Sequence, residues 1–521
     1  MTFTARSIDA LKAYLRTAAV IDDKVTQTRE SAPATPNTPG RIVQRSAESE
    51  APRESSGAPL DGRTLTAAFL DQGILCAVFD STKVLTEEKK ITDLLRSDIL
   101  IVDWKLGDDG TITTRFIHRC AAMHPHALHM ICIYTSENDF GAIRQKLEDT
   151  DDTLRSIPDL EYIPAFREIQ DTPDAYAFGS IYVLIVKKNV EEAKLPGHLL
   201  EAFAPLVAGL LRNAVFHSIG AIRTNTHALL DRFHPDLDPA FVTHRVYSDP
   251  CEDTERHIIP LIGSEIGSIL AQEKIPQHLN SEAIQCWLDS GSSRNEDSGI
   301  PQTIKDIINE KCADILAKGI MSVRQIRHDS GMDSVLKKSL LTAFLGAKDG
   351  VRSDVMLAML MSCEHRYSSD EKPVLKSGTL LKLEEQGSVK YFLCIQPPCD
   401  CVRIEKSGRN FIFACVLPSS NTENFNFSYI DEYENILYLK KSSKVYRSSL
   451  IKFKPVPGKT CIFAKEISGK WFFEDIDGKQ YERLFQLNEL HALRTIQECS
   501  NTLSRIGLME SDWQRRIASK K

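Results

Sequence analysis

The chain has 521 residues, a formal net charge of −7 at pH 7 and 42% hydrophobic residues. A single hydrophobic core serves at most about 250 to 300 residues, so this length predicts several domains. The acidic balance excludes a globally basic nucleic-acid binder, although a local basic patch remains compatible with it.

The sequence shows no signal for insertion into a membrane or for export. No apolar run reaches the roughly 18 residues that identify a transmembrane helix. The N-terminal stretch "MTFTARSIDALKAYLRTAAV" has no small-residue cleavage site after a long apolar segment. The 13 cysteines are an odd number, and several lie inside apolar, strand-like runs, as expected for reduced thiols. We therefore expect a cytoplasmic protein with no membrane partner.

Residues 1–195 alternate between strand and helix signals. Five runs are almost entirely apolar and are separated by amphipathic segments: "AAVI", "ILCAVFD", "DILIVD", "LHMICIYTS" and "SIYVLIVKK". Such strands are typical of a parallel sheet that helices cover on both faces, so this part of the chain is predicted to be an α/β domain. Residues 25–62 interrupt the pattern and are rich in Ser, Pro, Thr, Glu and Arg. This composition predicts a disordered insertion whose two ends meet.

The remainder of the chain changes character twice. Residues 196–372 give helical signals throughout, whereas residues 373–521 give short alternating strands and then a helical tail. We predict an α-helical middle region followed by a small antiparallel β-rich domain with terminal helices. The stretch 322–341, "SVRQIRHDSGMDSVLKKSLL", has the spacing of a helix-turn-helix with a basic second helix. DNA binding by the C-terminal region therefore remains an alternative function.

Polar residues at the ends of the predicted strands define a candidate site, because open parallel sheets bind ligands beyond the carboxyl ends of their strands. These residues are Asp22, Asp23, Asp103, Thr135, Lys187 and Lys188. Three carboxylates in one crevice repel each other unless a cation neutralises them, and Mg2+ prefers oxygen ligands of this kind. Asp103, at the tip of a buried strand, is thus predicted to be a nucleophile that accepts a phosphoryl group. A lysine and a hydroxyl would act as donors to the incoming oxyanion.

Four motifs carry a family resemblance: "AAVIDD", "ILIVDWKLGDDG", "ICIYTS" and "YVLIVKK". In this order, each at a strand end, they resemble the four signatures of a two-component receiver domain. The resemblance implies a flavodoxin-like domain with five parallel strands. It also implies that Asp22, Asp23, Asp103 and the backbone carbonyl of Lys105 hold Mg2+, and that Asp103 is the phosphoacceptor.

The same resemblance assigns the remaining polar residues. It makes Thr135 the switch hydroxyl, and it makes Lys187 or Lys188 the lysine that contacts the phosphate, without deciding between them. The sequence departs from the family pattern after Asp103, where Gly107 replaces the usual proline. The turn to Gly110 is also one residue shorter, so a different loop geometry is expected.

The resemblance further implies partners and a pathway. A histidine kinase would be the phosphodonor, and the chain would be no enzyme beyond an autophosphatase activity. In the C-terminal half, "YFLCIQPPCDCVRI" and "ELHALRTIQECSNTLSRIGLMESDW" resemble receiver components of Detocs-type bacterial anti-phage defensive two-component systems. That likeness implies a regulator or phosphate sink that acts on another receiver or effector protein. A homodimer and a receiver that is never phosphorylated both remain open.

Overall fold

The computed structural model describes most of the chain, in segments separated by gaps. The described residues are 1–26, 60–79, 82–106, 109–123, 126–157, 162–169, 172–248, 254–255, 257–290, 298–320, 339–367, 371–420, 424–431, 433–442, 444 and 447–503. The chain divides into two compact units, Met1–Ser290 and Gly291–Lys521. The division falls within the region that the sequence predicts to be helical.

The first unit contains nine described strands. They are β1 (Thr17–Ile21), β2 (Val25–Thr26), β3 (Leu60–Asp61), β4 (Leu75–Phe79), β5 (Ile99–Val102), β6 (His129–Thr135), β7 (Phe166–Glu168), β8 (Ala175–Phe178) and β9 (Ile181–Lys187). Seven of them form one sheet with the order β4-β1-β5-β6-β9-β8-β7. The first five strands of this order are parallel, as the sequence predicts. Their order is that of a flavodoxin-like fold.

The prediction of a five-stranded parallel sheet is wrong in its strand number. Strands β8 and β7 extend the sheet beyond β9, and both pair antiparallel to their neighbours. The two strands have only four and three residues, and they lie in a stretch without a long apolar run. Short strands of this kind give a weak periodic signal, so the sequence pattern does not separate them from a loop.

The two ends of the predicted insertion do meet. Val25 and Thr26 of β2 pair in parallel with Leu60 and Asp61 of β3. The disorder predicted between them concerns residues 27–59, which lie outside the described part of the chain. The pairing explains how so long an insertion leaves the surrounding sheet intact.

Twelve described helices belong to the first unit. They are α1 (Phe3–Tyr14), α2 (Gly62–Asp71), α3 (Glu88–Leu94), α4 (Thr111–Met123), α5 (Phe140–Glu148), α6 (Asp151–Ser156), α7 (Leu195–Val207), α8 (Leu210–Thr224), α9 (Thr226–Arg232), α10 (Asp238–Tyr247), α11 (Ile258–Gln272) and α12 (Ser281–Asp289). Alternate strand residues supply two cores, one on each face of the sheet. Helices α1, α2, α7 and α8 cover one face, and α3, α4 and α5 cover the other.

Helix α8 is joined to the sheet by an ion pair between the partly exposed Arg223 and the buried Asp98. The two terminal guanidinium nitrogens of Arg223 donate to the Asp98 carboxylate, at 2.8 and 2.9 Å. Asp98 precedes β5 and also accepts hydrogen bonds from the backbone nitrogens of Arg16 and Thr17. The Arg223 guanidinium lies 4.8 Å from the centroid of the Tyr14 ring. The first helices of the predicted middle region are therefore packed onto the α/β sheet.

The second unit contains an antiparallel sheet, as the sequence predicts. Its described strands are β10 (Thr379–Glu385), β11 (Ser388–Cys394), β12 (Arg409–Pro418), β13 (Phe427–Ile430), β14 (Ile436–Lys441), β15 (Ser449–Phe453), β16 (Lys465–Ile467), β17 (Lys470–Glu474) and β18 (Gln480–Gln486). The order is β13-β14-β12-β11-β10-β18-β17-β16, and β15 pairs with β12. A core that includes Phe411, Phe413, Phe453 and Phe473 lies against this sheet.

Five described helices complete the second unit. They are α13 (Gln302–Glu310), α14 (Cys312–Lys318), α15 (Leu340–Phe344), α16 (Gly350–Ser362) and α17 (Glu489–Leu503). The predicted helix-turn-helix falls almost entirely on residues 321–338, outside the described residues. In the part of the chain that the structure describes, no helix has both the length and the apolar character needed to span a membrane.

Candidate functional site

Three aspartates converge at the carboxyl ends of β1 and β5. The two strands are parallel neighbours, and the backbone nitrogen of Asp103 donates to the carbonyl of Ile21 at 2.9 Å. Asp22 and Asp103 therefore follow their strands at the same edge, and both side chains are buried, whereas Asp23 is exposed. Ligand oxygens of the three carboxylates all lie within 4.8 Å of one another. The sheet register thus assembles the acidic cluster predicted from the sequence.

A lysine from the end of β9 reaches this cluster. Nζ of Lys188 lies 2.6 Å from Oδ2 of Asp22 and 2.9 Å from Oδ1 of Asp103. The neighbouring Lys187, which is the last residue of β9, is exposed. Of the two lysines that the sequence leaves as alternatives, Lys188 is the one whose amino group meets the carboxylates.

Residues of β6 contact both the backbone and the ammonium group of Lys188. Its backbone nitrogen donates to the carbonyl of Thr135 at 2.7 Å, and its Nζ lies 5.7 Å from the centroid of the Tyr134 ring. The Tyr134 hydroxyl donates to the carbonyl of Val190 at 2.5 Å, which fixes the ring beneath the lysine. The position of the ammonium is therefore determined by β6 as well as by β9.

Thr135 ends β6 at the same edge of the sheet. It pairs with Lys187 in the register of β6 and β9, and its side chain is buried. Its Oγ1 accepts a hydrogen bond from the backbone nitrogen of Glu137 at 3.1 Å. Glu137 in turn pairs with the side chain of Lys105, at 2.5 Å between Nζ and Oε2. This ion pair links the loop after Asp103 to the loop after Thr135.

The electrostatics of the site reflect a surplus of negative charge. Burial raises the pKa of Asp103, the charge of Lys188 opposes this rise, and the charges of Asp22 and Asp23 add to it. For Lys188, burial acts to lower the pKa, but Asp103 and Asp22 outweigh it and the net pKa is raised. When all four groups are ionised, three carboxylates and one ammonium leave the cluster with an excess of two negative charges.

The donor set fits a divalent cation that prefers oxygen. Mg2+ takes one or two carboxylates and completes its octahedron with water, phosphate oxygens or a carbonyl. Oδ1 of Asp22 already accepts from the backbone nitrogen of Lys24 at 2.8 Å, which orients that carboxylate. Asp23 is exposed and Lys105 lies two residues after Asp103, so both remain candidates for the ligand set predicted from the sequence.

Two residues near Asp103, Thr113 and Trp104, escaped the sequence analysis. Oγ1 of the buried Thr113 donates to the carbonyl of Asp103 at 2.8 Å. The Trp104 side chain is buried against Gly110, where a Cβ would lie only 2.2 Å from the indole ring. Gly110 also has a φ of 95°, a conformation that favours glycine. Gly110, the last residue of "WKLGDDG", was the sequence signal for this close packing. Gly107, at which the sequence analysis predicts an altered loop, lies outside the described residues.

The fold and the site of the first unit agree with the class of domain that the sequence resembles. The resemblance to a receiver predicts a parallel sheet of this order, with an acidic cluster after β1 and β5 and a lysine after β9. The structure has this arrangement. Residues 14–161 match the family model described as a response receiver domain. This match supports a receiver domain at residues 14–161 and, with it, a phosphoacceptor role in two-component signalling. The matched segment ends before β9, so it does not include Lys188.

The wider comparisons add no relative. No curated protein and no solved structure matches the chain.

Proposed function

We propose that Asp103 accepts a phosphoryl group from a histidine kinase, or from a small acyl phosphate, with Mg2+ bound at the acidic cluster. Asp22, Asp23, Asp103 and the backbone carbonyl of Lys105 would hold the ion. The observation that supports this proposal best is the position of the Lys188 amino group, within 3 Å of both Asp22 and Asp103. A buried carboxylate with an adjacent cation is suited to receive an anionic group whose charge must be offset.

Each residue has a defined part in the transfer. An oxygen of the Asp103 carboxylate attacks phosphorus, and the P–N bond of phosphohistidine or the P–O bond of an acyl phosphate breaks. The leaving group keeps the electron pair of that bond. Bound Mg2+ supplies charge neutralisation for the phosphoryl oxygens. Lys188 contributes its ammonium to one of these oxygens, and the Thr135 hydroxyl lies on the neighbouring strand end to donate to another.

The remainder of the proposal concerns the role of the phosphoprotein. We propose a regulator or phosphate sink, without a catalytic activity beyond loss of its own phosphate. The sequence of residues 196–521 offers no catalytic motif, and its likeness to components of anti-phage two-component systems is the support for that pathway. Another receiver or effector would be the partner, and the cytoplasm the compartment. The phosphoryl group carries nearly two negative charges where the carboxylate carried one, so phosphorylation adds about one negative charge beside Lys188 and would change its pairing with Asp22.

The decisive experiment is incubation of the purified chain with acetyl phosphate, with and without Mg2+, followed by intact mass measurement. We expect a Mg2+-dependent gain of one phosphoryl group that disappears in Asp103→Asn. Asp93→Asn, at an exposed position on α3, is the matched control and should label like the unmodified chain. A Mg2+-dependent gain that persists in Asp103→Asn would place the acceptor elsewhere.

A second candidate is a receiver that acts as an interaction module without phosphorylation. The observation that favours it is the same lysine, because Lys188 neutralises part of the negative charge of the acidic cluster. In that case neither acetyl phosphate nor a panel of histidine kinases would label the chain. The DNA-binding alternative is supported by the sequence spacing of residues 322–341 alone.

A further inference from the structure

A cavity of about 250 Å3 lies in the first unit, away from the acidic cluster. It is lined by residues of helices α1, α8 and α12 and of the 3-10 helix Ile275–Leu279. Its volume is below the roughly 300 to 1,000 Å3 of pockets that hold drug-sized ligands, so the cavity suits a smaller molecule. None of the residues assigned to the phosphoacceptor site lines it.

The lining of the cavity includes a buried acceptor that lacks a donor. Asn213 is 6% exposed, and its Oδ1 has no hydrogen-bond partner in the described part of the chain. Its Nδ2 donates to Oγ of Ser7 at 3.0 Å, and that hydroxyl donates to the carbonyl of Phe3. Because the Ser7 proton is used in this way, Ser7 can only accept from Asn213, which fixes the orientation of the amide. A buried acceptor of this kind calls for a donor from a bound molecule.

The lining also includes a buried donor that lacks an acceptor. Nη2 of Arg6 pairs with Oε1 of Glu282 at 2.5 Å, and both residues line the cavity. Nε of Arg6 is buried, and the described residues provide no acceptor for it. A molecule in the cavity therefore satisfies both groups if it carries an acceptor for Arg6 as well as a donor for Asn213.

The charges that line the cavity favour a cationic donor on the ligand. Among the residues that the structure describes, only His217 forms an ion pair with Asp9, at 3.8 Å between Nε2 and Oδ2. Burial and the neighbouring His278 lower the pKa of His217, so its imidazole is neutral at pH 7. The Asp9 carboxylate is therefore left without a full countercharge, and a ligand ammonium would supply one.

The two histidines of the cavity are not arranged as metal ligands. The rings of His217 and His278 are stacked, with centroids 3.6 Å apart and an angle of 16° between their planes. A metal ion lies close to the plane of each imidazole that binds it, and two nearly parallel stacked rings share no such position. An organic cation thus suits the cavity better than a metal ion.

We propose that this cavity binds a free α-amino acid with an apolar side chain. The ammonium would donate to Asp9 and to Oδ1 of Asn213, and the carboxylate would accept from Nε of Arg6. A simple amine would leave the Arg6 donor unsatisfied, whereas a simple anion would meet the Asp9 carboxylate. The apolar part of the lining, which would contact the side chain of the ligand, includes Phe3, Leu210 and Ala283. This proposal does not depend on phosphorylation of Asp103.

The test is isothermal titration calorimetry of the full chain at neutral pH with L-alanine, L-valine and L-leucine in separate titrations. N-acetyl-L-leucine, which lacks the ammonium, is the matched probe. We expect L-leucine to bind about 10-fold more tightly than N-acetyl-L-leucine, and about 10-fold more weakly to Asp9→Asn than to the unmodified chain. The Asp9 side chain is 67% exposed, so the substitution does not disturb a core. Asp93→Asn, at an exposed position on α3, is the control variant and should bind like the unmodified chain.

Three results would overturn the proposal. One is that none of the three amino acids binds at concentrations up to about 10 mM, since water then fills the cavity. Another is equal affinity for L-leucine and N-acetyl-L-leucine, because the ammonium is then not recognised. The third is unchanged affinity in Asp9→Asn, which would place the binding site elsewhere. Acetyl phosphate labelling, measured separately, reports on the proposed function and is independent of these results.

Discussion

The amino group of Lys188 lies 2.9 Å from Oδ1 of Asp103, the carboxylate at the tip of strand β5. The same amino group lies 2.6 Å from Oδ2 of Asp22. All three side chains are at most 15% exposed, so the two ion pairs are largely shielded from water. Shielded charges depend on one another, because removal of one partner leaves the other buried without compensation.

Replacement of Lys188 by Met should therefore destabilise the first unit by about 3 kcal/mol, since two buried carboxylates lose their counterion. Lys187→Met, at the adjacent exposed position, is the matched control and should change stability by no more than about 0.5 kcal/mol. Urea denaturation, followed by tryptophan fluorescence and by circular dichroism, measures the difference. Equal effects of the two substitutions would contradict the assignment of Lys188.

The pKa of Asp103 predicts a pH dependence of stability. Its ordinary value is 3.8, and burial raises it in the folded state. At a pH between 3.8 and the raised pKa of the folded state, the folded chain holds a proton on Asp103 that the unfolded chain has lost. The free energy of unfolding therefore falls as the pH rises through this range. Asp103→Asn removes the titration. We expect the melting temperature of the variant to increase relative to that of the unmodified chain as the pH rises from about 4 towards neutrality.

The measurement is a thermal melt at a series of pH values. Asp93→Asn changes an exposed aspartate that lies outside the acidic cluster, so it serves as the control. Its melting curves should follow those of the unmodified chain. Parallel pH profiles for Asp103→Asn and the unmodified chain would show that Asp103 does not titrate with a raised pKa.

Binding of Mg2+ should stabilise the first unit, because the ion offsets the surplus negative charge of the folded cluster. At a concentration of 100 times its Kd, a ligand that binds only the folded state adds about 2.7 kcal/mol. Asp22→Asn removes one of the three carboxylates and should abolish most of this gain. Thermal melts with MgCl2 and with NaCl at equal ionic strength separate specific binding from screening. A gain unchanged in Asp22→Asn would place the ion outside this cluster.

Gly110→Ala should destabilise the loop that follows Asp103. The added Cβ would lie 2.2 Å from the Trp104 ring, and the residue would keep a φ of 95°. Strain of this kind costs about 1 to 3 kcal/mol, besides any displacement of the indole. Gly73→Ala is the control, because Gly73 also has a positive φ but its Cβ would meet no atom within 4 Å. We expect Gly110→Ala to be the more destabilising in urea denaturation, and a similar loss for both would exclude the clash.

Arg223→Ala should loosen helix α8 from the sheet. The substitution leaves the buried Asp98 carboxylate with its backbone donors but without its countercharge. Arg223 is partly exposed, so we expect a loss of about 2 kcal/mol rather than the full cost of breaking a buried pair. Arg96→Ala breaks an exposed pair with Asp93 and should cost no more than about 0.5 kcal/mol. Hydrogen exchange of α8 amides would localise the effect, and unchanged exchange would contradict it.

Several features were predictable from the sequence because they depend on local patterns. Apolar runs of strand length indicate buried parallel strands wherever they are placed, and all five were found in the sheet. Carboxylates that directly follow such strands lie at one edge, so Asp22, Asp23 and Asp103 could be grouped without coordinates. The alternating strands of the C-terminal region likewise indicated an antiparallel sheet.

Only the tertiary structure decided the features that depend on register and on distant pairing. Lys188 and Lys187 are adjacent in sequence, but successive residues of an extended chain point in opposite directions, so the pairing of β9 determines which one reaches Asp103. The ion pair of Asp98 with Arg223 joins residues 125 positions apart. The short strand β8 is stabilised by pairing with β9, and β7 by pairing with β8. Each of these features arises from contacts between segments, which no local pattern of residues encodes.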